Sequence, residues 1–142
     1  MIPQTFINLN LKSEEYFLTG SRALDNDELN YKVSTDASDY DYVVYIKNRH
    51  KIISYLNEYK IKWEGSCYNG GFKFWEDNKI FNIITCIDIE FMAWRESLSI
   101  IKNLIKIDEL YRKAFKDKKV RYCIYEQLRG LCKSIITFGN NN

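Results

Sequence analysis

Two short segments decide the fold: residues 18–23, LTGSRA, and residues 38–46, SDYDYVVYI. In the first, a short apolar run stops at Gly20, which predicts a strand that enters a tight turn. In the second, aromatic and β-branched residues follow Asp39, which predicts a central strand. Because alternate side chains of a strand share a face, Asp39 and Asp41 are expected to point the same way, about 6.5–7 Å apart at the backbone.

Both segments carry residue types with a chemical use. Gly20 allows a ligand to approach the backbone, and Ser21 adds a hydroxyl beside the N–H groups of a helix start, so the turn is suited to a phosphate. Two carboxylates at one strand end repel each other unless a cation neutralises them, and Mg²⁺ prefers oxygen ligands. Asp39 and Asp41 are therefore expected to hold a metal ion. Either pattern alone is commonly only a turn or a solvated strand end.

The rest of the chain predicts an α+β fold in a single domain that spans residues 1–142. Helical spacing of apolar residues predicts a helix at residues 50–60, whereas residues 23–29 allow at most one short helix before a loop. Strand signals with a turn at residues 76–78 recur further on. These strands are expected at residues 61–65, 71–75 and 79–86.

Two helices are expected after the last strand. Asp88 is placed to cap the first one, over residues 89–107, because its side chain can accept from unpaired first-turn N–H groups. The last helix carries an apolar stripe with a 3.6-residue period that is expected to be buried. The stripe consists of Val120, Cys123, Ile124, Leu128, Leu131, Cys132 and Ile135.

Composition excludes several protein classes. The chain has 142 residues, of which 46% are apolar and 28% charged, as in ordinary globular proteins. No apolar run approaches the roughly 18 residues of a membrane span, and the first residues lack the features of a signal peptide, so we expect a cytoplasmic protein with no membrane partner. The four cysteines form no CxxC pair, which predicts buried thiols rather than a zinc or redox site.

The two opening segments resemble the Gly-Ser and Asp-x-Asp signature of the DNA polymerase β-like nucleotidyltransferase superfamily. Residues 70–94, GGFKFWEDNKIFNIITCIDIEFMAW, are similar to its small stand-alone phage and bacterial members. The resemblance implies a mixed β-sheet with helices packed on it. It also implies an Mg²⁺-dependent enzyme that moves a nucleoside monophosphate from a nucleoside triphosphate such as ATP to a hydroxyl of a protein, an RNA or a small molecule.

The resemblance also assigns roles to residues. Gly20 and Ser21 would contact the triphosphate, while Asp39 and Asp41 would ligate Mg²⁺. Arg22, next to the Gly-Ser turn, is expected to neutralise phosphate charge. An ion pair between Arg22 and an acidic residue at position 25 or 28 is the alternative.

The sequence departs from the family in two places. The loop between Ser21 and Asp39 is longer than usual. The extra segment would act as a lid or contact surface, or it is a simple insertion. The family places a third carboxylate on a neighbouring strand, and this chain has Asn82 there. Asp88 is the nearest catalytic substitute and Glu90 a further candidate, although a helix cap and a dipole partner are their alternative roles. A catalytically degenerate binding module, similar to an inhibitor or antitoxin, is therefore the alternative function.

Charge is unevenly distributed along the chain. Residues 1–46 carry three Lys/Arg against eight Asp/Glu, and residues 47–142 carry eighteen against eleven. Residues 106–121 alone hold seven basic and three acidic side chains. This segment could bind nucleic acid through Lys118 and Lys119, but a solvated helical surface is the favoured interpretation.

Overall fold

The chain forms a five-stranded mixed β-sheet and six α-helices in a computed structural model, which describes residues 1–66 and 70–140. The predicted α+β class, with helices packed on a mixed sheet, is confirmed. Contacts divide the chain into two compact units, which are described separately below. The first comprises Met1–Ala23 and Ala37–Ile87, and the second comprises Leu24–Asp36 and Asp88–Asn142. The single domain over residues 1–142 stays a prediction.

The first unit contains the whole sheet, in the spatial order β1-β2-β5-β4-β3. Strands β2 and β5 run parallel, and every other neighbouring pair is antiparallel. All five predicted strands are present, with ends displaced by one or two residues. They are β1 (Tyr16–Thr19), β2 (Tyr40–Tyr45), β3 (Trp63–Gly65), β4 (Phe72–Glu76) and β5 (Lys79–Cys86).

The predicted turn between the last two strands is also present. Asp77 and Asn78 connect β4 to β5 with φ angles of 52° and 60°. A two-residue hairpin loop with two positive φ angles matches the right-handed twist of its strands, and Asp and Asn tolerate that conformation better than most residues.

One face of the sheet carries the core of the first unit. The helices there are α1 (Gln4–Asn8), α2 (Gly20–Ala23) and α3 (Arg49–Glu58), and α3 confirms the helix predicted at residues 50–60. Phe6 of α1 and Ile52 and Leu56 of α3 are fully buried against the strands. The strand side chains of this core are Tyr42, Val44, Phe72, Phe74, Phe81 and Ile83.

Residues 23–29 were expected to hold at most one short helix, and only Ala23, the last residue of α2, is helical. Helix α2 lies earlier, and beyond it Asn26 and Tyr31 form an isolated antiparallel bridge with backbone hydrogen bonds of 2.9 and 3.0 Å. Asn30 in the connecting turn has a φ of 50°. Asn and Asp side chains bond to nearby backbone groups and so favour turns over helix, which explains the difference.

The second unit is mainly helical. It contains α4 (Asp88–Ile107), α5 (Glu109–Phe115) and α6 (Lys118–Asn140), with α4 packed against both others. Helix α4 includes Asp88 as its first residue instead of starting after it. No helix among the described residues is both long enough and apolar enough to cross a membrane.

The apolar stripe on α6 is only partly buried. Tyr125 and Cys132 are buried, but Leu131 and Ile135 are 56% and 61% exposed, so the prediction of a fully buried stripe is wrong. The side of the helix that is buried is displaced from the centre of the predicted stripe. The prediction of buried thiols is confirmed for two cysteines, Cys86 and Cys132, and wrong for the exposed Cys123, while Cys67 lies outside the described residues.

Candidate functional site

Gly20 and Asp41 lie in direct contact at one end of β1 and β2. A Cβ atom added to Gly20 would lie 2.3 Å from Oδ2 of Asp41, and the φ of Gly20 is +72°. Both facts require glycine, because a left-handed φ is unfavourable for other residues and any side chain would overlap the carboxylate. The fold thus brings the Gly-Ser turn together with the second aspartate of the Asp-x-Asp motif. Ser21 and Asp41 are 20 residues apart in the sequence.

Asp41 has polar neighbours on both adjacent strands. It pairs with Thr19 of β1 and with Asn82 of β5, and Nδ2 of Asn82 donates a hydrogen bond of 3.2 Å to Oδ1 of Asp41. Within the described residues, Oγ1 of Thr19 and Oδ1 of Asn82 are buried and have no hydrogen-bond partner. A buried polar atom without a partner costs about 1–3 kcal/mol, so such atoms are expected to meet a ligand, an ion or water.

The polar row continues across the sheet. Lys73 of β4 pairs with Asn82, and Glu64 of β3 pairs with Lys73, so five strands contribute Thr19, Asp41, Asn82, Lys73 and Glu64 in one row. Paired residues share a face, and this face is opposite the aromatic core. Sequence reasoning missed three residues of this row, Thr19, Lys73 and Glu64. Strand alternation already separates them from the apolar positions, but only the register between strands shows that they join Asp41.

Arg22 is part of the scaffold around Asp39. Its Nε and Nη2 donate to the carbonyl oxygen of Ser38 at 3.0 and 2.8 Å, and its guanidinium lies 4.0 Å from the centroid of the Tyr40 ring. These contacts hold the backbone immediately before Asp39 through charged hydrogen bonds and the side chain immediately after it through a cation–π interaction. Arg22 therefore contacts the residues on both sides of Asp39, and its contact with phosphate stays a prediction.

Ser21 and Asp39 are both half-buried, and their part in the site stays a prediction. Asp39 lies one residue before β2, and Ser21 is the second residue of α2. Because α2 has only four residues, its macrodipole is small, and any anion binding there depends on the local N–H groups and the Ser21 hydroxyl.

The other acidic candidates belong to the second unit. Asp88 is exposed at the start of α4, and Glu90 forms an ion pair with Lys133 of α6. The catalytic role of Asp88 stays a prediction. Across residues 1–66 and 70–140, no group of three His, Cys, Asp or Glu side chains lies close enough together to hold a metal ion.

Asp25 is occupied by its own loop. Oδ1 accepts hydrogen bonds from the backbone N–H groups of Val33 (2.7 Å) and Ser34 (3.0 Å), and Oδ2 accepts one from the Ser34 hydroxyl. Partial burial by itself would raise the pKa of Asp25, but the hydrogen bonds from Ser34 and Val33 outweigh burial and lower it. Asp25 thus organises the long loop after the Gly-Ser turn.

Two arginines of the basic segment serve the helix ends. Arg112 donates from Nη1 to the Ile105 carbonyl near the end of α4 at 2.7 Å. Arg121 donates from Nη1 to the carbonyls of Phe115 and Lys116 at the end of α5, at 3.0 and 2.9 Å. Carbonyls at a helix C-terminus lack intrahelical partners, so these contacts have a structural purpose.

Comparisons with known proteins return one distant likeness. No protein-family model matches the chain, and no curated protein is significantly similar to it. Among solved structures, the crystal structure of ANT(2″)-Ia in complex with adenylyl-2″-tobramycin is similar over 94% of this chain and 93% of its own, with 12% sequence identity and a TM-score of 0.44.

Proposed function

We propose that the site around Gly20 and Asp41 binds a nucleoside triphosphate with a divalent cation and transfers its nucleoside monophosphate to a hydroxyl acceptor. The observation that carries the proposal is the contact between these two residues, because it places the Gly-Ser turn beside a carboxylate that can hold a cation. ATP is the proposed donor, and a protein, an RNA or a small molecule is the proposed acceptor. The proposed family is the stand-alone phage or bacterial branch of the nucleotidyltransferases.

The donor atoms suit Mg²⁺. Asp39 and Asp41 offer carboxylate oxygens, and Thr19 and Asn82 place two buried oxygens without partners on either side of Asp41. Mg²⁺ commonly takes one or two carboxylates and fills its other positions with water and substrate phosphates. When bound, the cation would neutralise charge on the phosphates and the leaving pyrophosphate.

Each protein residue then has a defined task. Gly20 leaves space for the Asp41 carboxylate beside the backbone of the turn. The Gly20 backbone and the Ser21 hydroxyl would then contact phosphate oxygens. Asn82 holds the Asp41 carboxylate through its amide, and Arg22 holds the Ser38 backbone and the Tyr40 ring on the two sides of Asp39. Preorganised groups of this kind accelerate phosphoryl chemistry by position and charge.

Asn82 favours a second candidate function. An amide cannot take a proton from an acceptor hydroxyl as a carboxylate can, so the chain could bind nucleotide and partner without catalysis. In that case the module would act on a protein or nucleic-acid partner as an inhibitor or antitoxin does.

The test combines binding with transfer. Purified protein is incubated with Mg²⁺, labelled nucleoside triphosphates and lysate, and its melting temperature is followed with Mg²⁺ and nucleotide. We expect labelled product and a metal-dependent rise in the melting temperature. Asp39→Asn/Asp41→Asn should abolish both, whereas Glu14→Gln/Glu58→Gln, which removes two exposed carboxylates of the same unit, should not.

The outcomes separate the candidates. A metal-dependent rise in melting temperature without labelled product would support the non-catalytic binding module. Absence of both signals in the native chain refutes the nucleotide site altogether.

A further inference from the structure

We infer that Lys73 is a phosphate-binding residue of this site, an inference that rests on the proposed function. Lys73 is the residue paired with Asn82, which is in turn paired with Asp41. Two strand spacings of about 4.8 Å each separate its backbone from that of Asp41. Its flexible four-carbon stem can carry the ammonium over Asn82 towards a phosphate beside Asp41.

The strand geometry directs Lys73 to the face of Asp41. Phe72 and Phe74, its neighbours in β4, are fully buried in the aromatic core, so Lys73 lies on the opposite face. It is half-buried, and no ion pair involves it among the described residues. The acidic residue opposite it on β3, Glu64, is exposed and makes no ion pair with it there.

Asn82 is what leaves the Lys73 charge available. A carboxylate at position 82 would lie between Asp41 and Lys73 in the row. It would form an ion pair with the Lys73 ammonium across the antiparallel strands. The Asn82 amide instead donates a hydrogen bond to Asp41 and carries no charge. Asn82 therefore replaces the third metal-binding carboxylate by a neutral group, and it leaves the neighbouring Lys73 charge without an anionic partner at position 82.

Two positive charges would therefore act at different positions along one row of the sheet. A divalent cation at Asp41 and the ammonium of Lys73 would neutralise different oxygens of one triphosphate. This predicts recognition of the polyphosphate chain and not of the base, because a lysine ammonium acts as a point charge.

The experiment measures dissociation constants by calorimetry at saturating Mg²⁺. The two probes are adenosine 5′-(α,β-methylene)triphosphate and inorganic tripolyphosphate. We expect Lys73→Met to weaken both by about tenfold, as for loss of one charge-assisted hydrogen bond, and Lys73→Arg to retain most of the affinity. Lys51→Met, the same change at an exposed position of α3, should leave both dissociation constants unchanged.

Asn82→Asp gives the sharper comparison. It should weaken binding of both probes in the native background, since the new carboxylate pairs with Lys73, and should have a smaller effect in the Lys73→Met background. An equal effect of Asn82→Asp in the native and Lys73→Met backgrounds would overturn the inference.

The outcomes distinguish this inference from the function on which it rests. If Asp41→Asn abolishes binding while Lys73→Met and Lys73→Gln, both shown to be folded by their melting curves, bind as tightly as the native chain, the inference fails and the proposed function stands. If the native chain binds neither probe, the proposed function fails and takes the inference with it.

Discussion

Oδ2 of Asp41 occupies the space that a side chain on Gly20 would need, since a Cβ there would lie 2.3 Å away. We therefore expect Gly20→Ala to lower the free energy of unfolding by about 1–2 kcal/mol for the left-handed backbone alone, with a further loss from overlap with the carboxylate. Urea unfolding measures the loss, and nucleotide binding with Mg²⁺ should disappear because Asp41 is displaced.

The matched control for that change is Gly130→Ala. Gly130 lies within α6, and a Cβ there would meet no atom within 4 Å. Alanine is favoured over glycine in a helix by about 1 kcal/mol, so this variant should be more stable than the native chain. Equal losses from both alanines would contradict the role assigned to the Gly20–Asp41 contact.

Glu76 should matter for the stability of the N-terminal segment. Its carboxylate accepts from the backbone N–H groups of Gln4 (2.7 Å) and Thr5 (3.1 Å) and from the Thr5 hydroxyl (2.6 Å). Hydrogen bonds to a charged group contribute about 1.5–3 kcal/mol, so Glu76→Gln should lower the free energy of unfolding by about that amount. Glu64→Gln, at an exposed position in β3, is the control.

Hydrogen exchange locates that effect. Protection of the amides of α1 should fall in Glu76→Gln before that of the sheet, because the first turn of α1 loses the charged acceptor and one of its two acceptor oxygens. Unchanged protection in α1 would show that the carboxylate does not hold this helix.

Local signals in the sequence predicted most elements of the fold and the Gly20–Asp41 half of the site. Glycine before serine and alternating acids in a strand are one-dimensional patterns, and the five strands follow from propensity and turn residues. Asn82 followed from the family resemblance, but the rest of the polar row could not be predicted, because Thr19 and Lys73 join Asp41 and Asn82 only through cross-strand register. Register depends on packing across the whole sheet.

Helix α6 shows the opposite failure. Its period of apolar residues was sufficient to predict a helix but not which side of it would be buried, and Leu131 and Ile135 remain exposed. A wide apolar stripe is compatible with several orientations, and contact with α4 selects one of them. The roles of Arg22 and Arg112 were likewise unpredictable, because their acceptors are backbone carbonyls.

The basic segment offers a test of structure against nucleic-acid binding. Arg112→Ala should lower the free energy of unfolding, by about 1–3 kcal/mol, because the Ile105 carbonyl loses its charged donor. Lys118→Ala/Lys119→Ala, at exposed positions, should leave stability within about 0.5 kcal/mol. If that double variant also reduces the salt dependence of RNA binding, the segment binds nucleic acid, contrary to the solvated-surface interpretation.

Tyr42 should make the fold sensitive to alkaline pH. Burial, followed by the neighbouring Tyr16 and Tyr40, raises the pKa of Tyr42 from 10.0 to about 12. The folded state therefore retains the phenol proton at a pH where the unfolded chain has lost it. The stability that this difference contributes is fully present below pH 10 and is lost as the pH rises from 10 towards 12, by up to about 1.4 kcal/mol per unit.

Denaturant unfolding between pH 8 and about 11.5 measures that slope. Tyr42→Phe should be less stable at neutral pH, because it loses a hydrogen bond to the Met1 carbonyl, yet should lose less stability above pH 10 than the native chain. Tyr59→Phe, a change at a tyrosine that is 60% exposed, should preserve the native pH dependence. An identical alkaline slope in Tyr42→Phe would assign the effect to another group, of which Tyr31, whose pKa burial also raises, is the first to examine.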